Sequence, residues 1–301
     1  MNPVRRDTTA GRVYLDLQAI ARRTGRPTQE LLVLYVLERF LFRLSRSDYR
    51  DRLVLKGGML LAALDSRRPT ADIDFLADAV ANDVETIAGV VRSICATTVD
   101  DGVAYEPDRL TARVIRDAEL YAGVRMAVPA RVDRARTALR VDVNVGDPVT
   151  PGPVEVDYPG LLEGSFSLLG YPLSTVIAEK VVTMIDRGTA TTRERDFADV
   201  ALLSRRHPVE AAELLAALRA TAEHRGSALR PLAGWLDALG PARQASWSAY
   251  VARSGLTDLL PADYSEAIAT VGEFVDPLLI GVVTNARWDP LTRRWTDKVN
   301  L

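Results

Sequence analysis

The stretch 53–75, LVLKGGMLLAALDSRRPTADIDF, constrains the fold more than any other part of the chain. Leu53, Val54 and Leu55 form an apolar run of the kind that makes a buried strand, and Gly57-Gly58 breaks it. Residues 59–64 contain good helix formers, residues 65–69 are turn-like, and residues 70–76 read as a second strand. Side chains alternate across a strand, so Asp72 and Asp74 are expected on one face, with Ile73 and Phe75 on the other. The same alternation puts Thr70 with the carboxylates. Two neighbouring carboxylates repel, and a protein keeps such a pair mainly where cations neutralise it. Hard oxygen donors of this kind suit Mg²⁺, which usually takes one or two carboxylates and completes its shell with phosphate oxygens. The doubled glycine allows a backbone to approach phosphate closely.

At 301 residues the chain has room for two domains or one large one. A net charge of −2 excludes a generally basic nucleic-acid binder, so any such contact must use a local patch. The single cysteine, Cys95, excludes an intramolecular disulfide and a cysteine-rich metal site, and His207 and His224 are too far apart to form a ligand pair in sequence. The amino-terminal MNPVRRDTTAGR has no apolar core and no apolar run reaches membrane-spanning length, so a soluble, cytoplasmic chain with no membrane partner is expected.

Residues 13–24 and 28–44 read as helices, with Gly25 as the break and Thr28 as an N-cap. On the second, Leu31, Leu34, Tyr35, Glu38 and Phe42 follow helical spacing and read as core. Arg43, Arg46, Arg50 and Arg52 gather ahead of the glycines, either as a solvated helix end or as a nucleic-acid contact. Residues 83–96 form an amphipathic helix, with Cys95 a small buried hydrophobe. Residues 111–116, 122–130 and 138–145 alternate as an antiparallel meander. On the last of these, Arg140, Asp142 and Asn144 share the polar face, which reads as an exposed sheet surface or as the place of a further carboxylate.

Residues 154–169, rich in Pro and Gly, read as a linker. A helix over 173–187 sets Lys180 within an apolar stripe, where it must reach an anion or water. If the anion is a phosphate, its replacement by alanine is expected to reduce activity sharply while stabilising the fold or leaving it nearly unchanged. Asp196, Asp199 and Val200 share one helical face. Residues 208–225, 241–254 and 262–280 read as further helices, and Trp288 and Trp295 in the tail are expected to dock on the core rather than stack on an RNA end.

Gly-Gly, a short helix and Asp-x-Asp on a strand resemble the nucleotidyltransferase superfamily related to DNA polymerase β. The fuller pattern, Leu55-Lys56-Gly57-Gly58 followed by Arg68-Pro69-Thr70-Ala71-Asp72-Ile73-Asp74-Phe75, is similar to the AbiEii and MenT branch of toxin nucleotidyltransferases. Ala178-Glu179-Lys180 after Tyr171-Pro172 resembles that branch's fourth motif. Arg193-Glu194-Arg195-Asp196-Phe197-Ala198-Asp199 resembles its continuation, with Arg195 where the branch has lysine. The likeness runs in family order over residues 50–205.

The resemblance implies an α+β fold: a nucleotidyltransferase-like mixed sheet flanked by helices over 1–165, then a mainly helical domain over 166–301 that contributes Lys180 and Asp196 to the site. It implies Asp72, Asp74 and Asp142 as ligands of two Mg²⁺ ions, and Lys56, Gly57, Gly58, Arg68, Thr70 and Lys180 as contacts of an NTP substrate. Asp72, Asp74, Lys180 and Asp196 would be catalytic. The implied acceptor is RNA, foremost the 3′ end of tRNA, and the implied protein partner is a cognate antitoxin. Because a phosphate on Thr70 would add about −1.5 to −2 charges beside both carboxylates, an antitoxin acting by phosphorylation is expected to target Thr70. Two other outcomes stay open: transfer to a small molecule, as in aminoglycoside nucleotidyltransferases, and a catalytically idle nucleotide-binding module.

Overall fold

The computed structural model describes residues 4–78, 83–115, 123–162, 164–236 and 238–297. The chain divides into two compact units, one of Met1–Ala63, Arg67–Gly146 and Val154–Gly170, the other of Leu64–Ser66, Asp147–Pro153 and Tyr171–Leu301. Arg116 and Ala122, expected at two strand ends, lie outside the described residues.

The first unit opens with α1 (Thr9–Thr24) and α2 (Thr28–Leu44). Thr8 caps α1 by accepting from the Gly11 N–H, and Gly25 ends it in the left-handed conformation. For α2 the expectation of a Thr28 cap fails: Pro27 takes that place, with φ preset and no side-chain cap bond. Apolar residues surround most of α2, so it runs buried rather than lying on a surface. Its buried Arg43 makes a bidentate pair with Asp101 at 2.6 and 3.1 Å and donates to the Thr97 carbonyl, which makes it structural rather than a nucleic-acid contact.

Next come β1 (Leu53–Lys56), α3 (Gly57–Leu60), β2 (Ile73–Ala77), α4 (Val84–Ala96) and β3 (Val103–Tyr105). Then follow β4 (Thr111–Ile115), β5 (Gly123–Val132), β6 (Ala135–Val145), β7 (Val154–Pro159) and β8 (Ser165–Gly170). Among the described residues these strands make one mixed sheet in the order β3-β5-β6-β2-β1-β8-β7, with β4 also paired to β5. The meander expected over residues 111–145 is present as antiparallel β4, β5 and β6. One sheet face carries Ile73, Phe75, Val128, Leu139, Val141 and Val143, all buried, and α2 packs there, with the Phe40 and Phe75 rings 6.3 Å apart.

Two local expectations are corrected. The strand expected from residue 70 begins only at Ile73, because its partner β1 ends at Lys56, opposite Asp74, and Gly57 turns the chain away at φ +65°. The segment 154–169 is not a linker but most of the β7–β8 hairpin, and β8 pairs in parallel with β1. Its glycines and prolines mark strand ends, while Tyr158 and Leu168 between them are fully buried.

A carboxylate inside this unit sets a pH dependence. Glu38 on α2 is 1% exposed, accepts the Leu161 N–H at 2.7 Å and lies 3.7 Å from an Arg67 nitrogen. Burial raises its pKa from 4.5 to about 7 against the opposing pull of Arg67. A raised folded-state pKa gives stability that is complete below the unfolded value and is lost as pH climbs from about 4.5 to about 7. The linkage is worth about 3 kcal/mol. Glu38→Gln, which keeps the acceptor for Leu161, should therefore flatten that fall and melt higher than wild type at pH 8. Parallel stability–pH curves for the two proteins would refute this.

The second unit contains α5 (Leu173–Arg187), α6 (Glu194–Arg206), β9 (Val209–Glu210), α7 (Ala211–Arg225), α8 (Leu239–Ser254) and α9 (Tyr264–Leu279). A hairpin of β10 (Ala286–Asp289) and β11 (Arg294–Asp297) follows and pairs with β9. Its aromatic centre stacks Trp247 on Tyr264 at 4.8 Å, with Phe197 edge-on to Tyr264. The tail tryptophans dock as expected: Trp288 Nε1 donates to the Ser204 carbonyl at 2.6 Å and Trp295 Nε1 to the Phe274 carbonyl at 2.9 Å. No helix among the described residues is long and apolar enough to cross a membrane.

Candidate active site

Registers across the first unit's sheet bring four charged residues into one line. Lys56 of β1 faces Asp74 of β2, Asp74 faces Asp142 of β6, and Asp142 faces Arg125 of β5. Residues in register share a face, so the row reads plus, minus, minus, plus across four strands. At one end the Arg125 guanidinium grips Asp142 through both oxygens, Nε to Oδ1 at 2.8 Å and Nη2 to Oδ2 at 2.6 Å. That pair and the fields of Asp72 and Asp74 raise the pKa of Arg125, so it stays charged.

Asp72 stands just outside β2, and a hydroxyl holds it. Thr70 Oγ1 donates to Asp72 Oδ1 at 3.1 Å, a local bond that competes with extending the strand. Thr70 thus stands with Asp72 through a loop contact rather than by strand alternation. The doubled glycine packs directly on this group. A Cβ at Gly57 would collide with the Asp74 carboxylate, and one at Gly58 would come 2.7 Å from Thr70 Oγ1 and 3.4 Å from Arg68 Nη1. The glycines let the backbone reach the carboxylates and Arg68, a requirement that their reading as a phosphate approach does not contain. Arg68 itself is mostly buried, and its Nη1 donates to the Pro69 carbonyl.

In the second unit, Lys180 of α5 lies between buried Val176, Ile177 and Met184 and, as that position requires, reaches an anion. Its Nζ bonds Asp199 Oδ2 at 2.7 Å and Asp196 Oδ1 at 3.2 Å, both carboxylates being buried on α6. Arg193 Nη1 lies 3.8 Å from the second oxygen of Asp196. Asp196 occupies the first turn of its helix, where negative charge is favoured. Removing Lys180 would take its ammonium from both buried acids and leave Asp196 the longer contact with Arg193, which argues against the expectation that Lys180 is dispensable for the fold. Arg195, which stands where the resembled motif has lysine, is exposed.

A family model described as "Nucleotidyl transferase AbiEii toxin, Type IV TA system" matches residues 39–286, most of the chain. The chain belongs to this family. No curated protein matches. Among solved structures, JHP933 from Helicobacter pylori aligns at 16% identity and a TM-score of 0.48, over 82% of this chain and 92% of that one. A second H. pylori chain, provisionally named a nucleotidyltransferase, aligns at 15% identity and a TM-score of 0.49, over 82% and 96%. Family membership makes this a nucleotidyltransferase of the toxin type, with an NTP as donor and an antitoxin as its partner.

One residue of this AbiEii member escapes the sequence reading, and another is legible there only without its partner. Arg125 carries no motif, yet it closes the charged row. Asp199 was read as sharing a helix face with Asp196, but its contact with Lys180 is the shorter of the two.

Two substitutions test the packing. Gly57→Ala forces a side chain into positive φ and against Asp74, and should cost on the order of 1–3 kcal/mol by denaturant titration. A midpoint equal to wild type would refute the close packing. Lys180→Ala should destabilise by up to about 3–5 kcal/mol, because it removes the ammonium that bonds both buried carboxylates. A melting temperature unchanged from wild type would show that the ion pairs contribute nothing.

Proposed function

We propose that the chain transfers a nucleotidyl group from an NTP to the 3′ hydroxyl of an RNA acceptor, foremost tRNA, and so blocks aminoacylation and translation. The observation that carries this reading is the row of Lys56, Asp74, Asp142 and Arg125, with Asp72 and Thr70 beside it. The acceptor oxygen would attack the α-phosphorus and pyrophosphate would leave.

The donor set fits Mg²⁺, since Asp72 and Asp74 are hard oxygen ligands whose Gly57 wall sits against Asp74. Asp72 and Asp74 would hold the metal. Asp142 would join only if Arg125 released it, and among the described residues no group of three His, Cys, Asp or Glu side chains is set to hold an ion. Bound Mg²⁺ supplies Lewis-acid polarisation of the phosphate and lowers the pKa of the attacking hydroxyl.

The chain's own residues then orient and neutralise. Arg68 and Lys56 place positive charge around the glycine turn, where a polyphosphate accumulates negative charge in the transition state. Lys180, an ammonium held by Asp196 and Asp199, is the family-derived phosphate contact, and Asp196 the family-derived catalytic acid that positions it. Thr70 is read as the control point: a phosphate there would break its bond to Asp72 and set like charge against the ligands.

Asp72→Asn or Asp74→Asn should reduce nucleotide transfer to total RNA at least about a hundredfold while keeping the melting temperature. Either variant should also lose the thermal stabilisation that Mg²⁺ with NTP gives wild type. Transfer at the wild-type rate by a folded variant would sink the reading. Labelled transfer into a small-molecule extract but not into RNA would replace the acceptor.

A further inference from the structure

The outer face of the β4–β5–β6 region carries a charge pattern that the fold does not need. Arg113 on β4, Arg125 and Arg131 on β5, and Arg136 and Arg140 on β6 all fall on the face that carries Asp142. Apart from Asp142, no acidic residue lies on that face of these three strands among the described residues. Arg113, Arg131, Arg136 and Arg140 are exposed and make no ion pair among the described residues. Elsewhere in this unit some exposed arginines find acids, Arg6 with Asp16 and Arg109 with Glu106, while others such as Arg22 and Arg23 on α1 stand without one among the described residues, so it is the clustering on one face that sets these apart.

The registers sharpen the point. Arg131 stands directly opposite Arg136, and Arg113 directly opposite Arg125. Like charges in facing positions destabilise an antiparallel pair, and a local conflict of this kind marks a surface kept for binding. Short side chains fill the places between them: Thr111, Ala127, Pro129 and Ala138. Apart from half-buried Ile115 at the end of β4, the described part of the face lacks the aromatic or large aliphatic anchors that carry protein–protein affinity, while exposed guanidiniums suit phosphate bidentately. Six residues of strand separate Arg136 from Asp142, roughly 20 Å at 3.3 Å per residue. At about 3.4 Å of axial rise per nucleotide in a duplex strand, that span covers several phosphates.

We propose that this arginine face binds the phosphate backbone of the RNA acceptor, without regard to base sequence, and leads its 3′ end along β6 toward Asp142 and Asp74. The inference rests on the RNA-transfer reading and specifies where that substrate lies. The site would select a polyanion long enough to follow the track and would leave a small hydroxylated acceptor unrecognised.

The test is the full chain carrying Arg131→Gln, Arg136→Gln and Arg140→Gln together, beside a control with Arg22→Gln and Arg23→Gln on α1. Fluorescence anisotropy with total tRNA over a salt series should show Kd at least about tenfold weaker for the triple variant. Its log–log salt slope should shrink by about two to three, near one for each phosphate left without its guanidinium. The KM for RNA should rise with kcat and the KM for NTP unchanged, and the melting temperature should hold or rise as the facing arginines are relieved. The control should match wild type. RNA affinity and salt slope equal to wild type in the triple variant would overturn the proposal, as would an equal weakening in the control. So would retained RNA affinity with failed capture of an antitoxin, which would hand the face to a protein partner. Wild type that binds RNA through this face but transfers nothing to it would refute the transfer reading alone.

Discussion

Two like charges forced side by side are the constraint on which this architecture turns. The parallel register of β2 and β6 puts Asp74 beside Asp142, and unit charges about 5 Å apart repel by about 3 kcal/mol at an effective dielectric near 20. The sheet answers with a cation on the far side of each, Lys56 from β1 and Arg125 from β5. None of the four works without the other three strands in register. A slip of one residue on any of them would send its charged side chain into the apolar face that packs on α2. The register that builds the core is therefore the same register that builds the site.

Much of the site could be read from the chain because its residues lie close together in sequence. The glycines, Arg68, Thr70 and the Asp pair occupy less than twenty residues, and local spacing sets their geometry. Arg125 could not be read that way, although a route to it existed. The β5–β6 hairpin turns between Val132 and Ala135, and Arg125 and Asp142 each lie seven residues from those positions, so a fixed turn makes them partners. Without the turn's location, Arg125 is one exposed-looking arginine among many. Asp142 shows the other side: strand alternation placed it on the polar face, but only the fold shows that a guanidinium already holds both its oxygens.

Other errors have physical causes of the same kind. Lys180 sits at a helical position flanked by Val176, Ile177 and Met184, and the apolar neighbours hid the acids that reach it from a helix sixteen and nineteen residues further on. Periodicity on one helix says nothing of what the next presents. Thr70 was placed correctly for the wrong reason, since a hydroxyl bond in a loop does what strand alternation was expected to do. The helices and the docked tryptophans were legible because long apolar periods and large aromatic side chains leave few alternatives.

The hairpin of β7 and β8 governs the order in which the chain becomes a protein. Strand β1 has β2 on one side, close in sequence, but its other neighbour is β8, and Leu55 waits for Gly170. Until that residue has left the ribosome, the middle of the sheet is an open edge bearing buried-type side chains. Contacts of such sequence separation form slowly, and unpaired edges are where nascent chains stick to one another. When β8 does arrive, the outermost strand becomes β7, which turns Glu155 and Asp157 outward and ends in Pro159. The stretch that looks least structured in the sequence thus closes the sheet and gives it a charged border that discourages further strands.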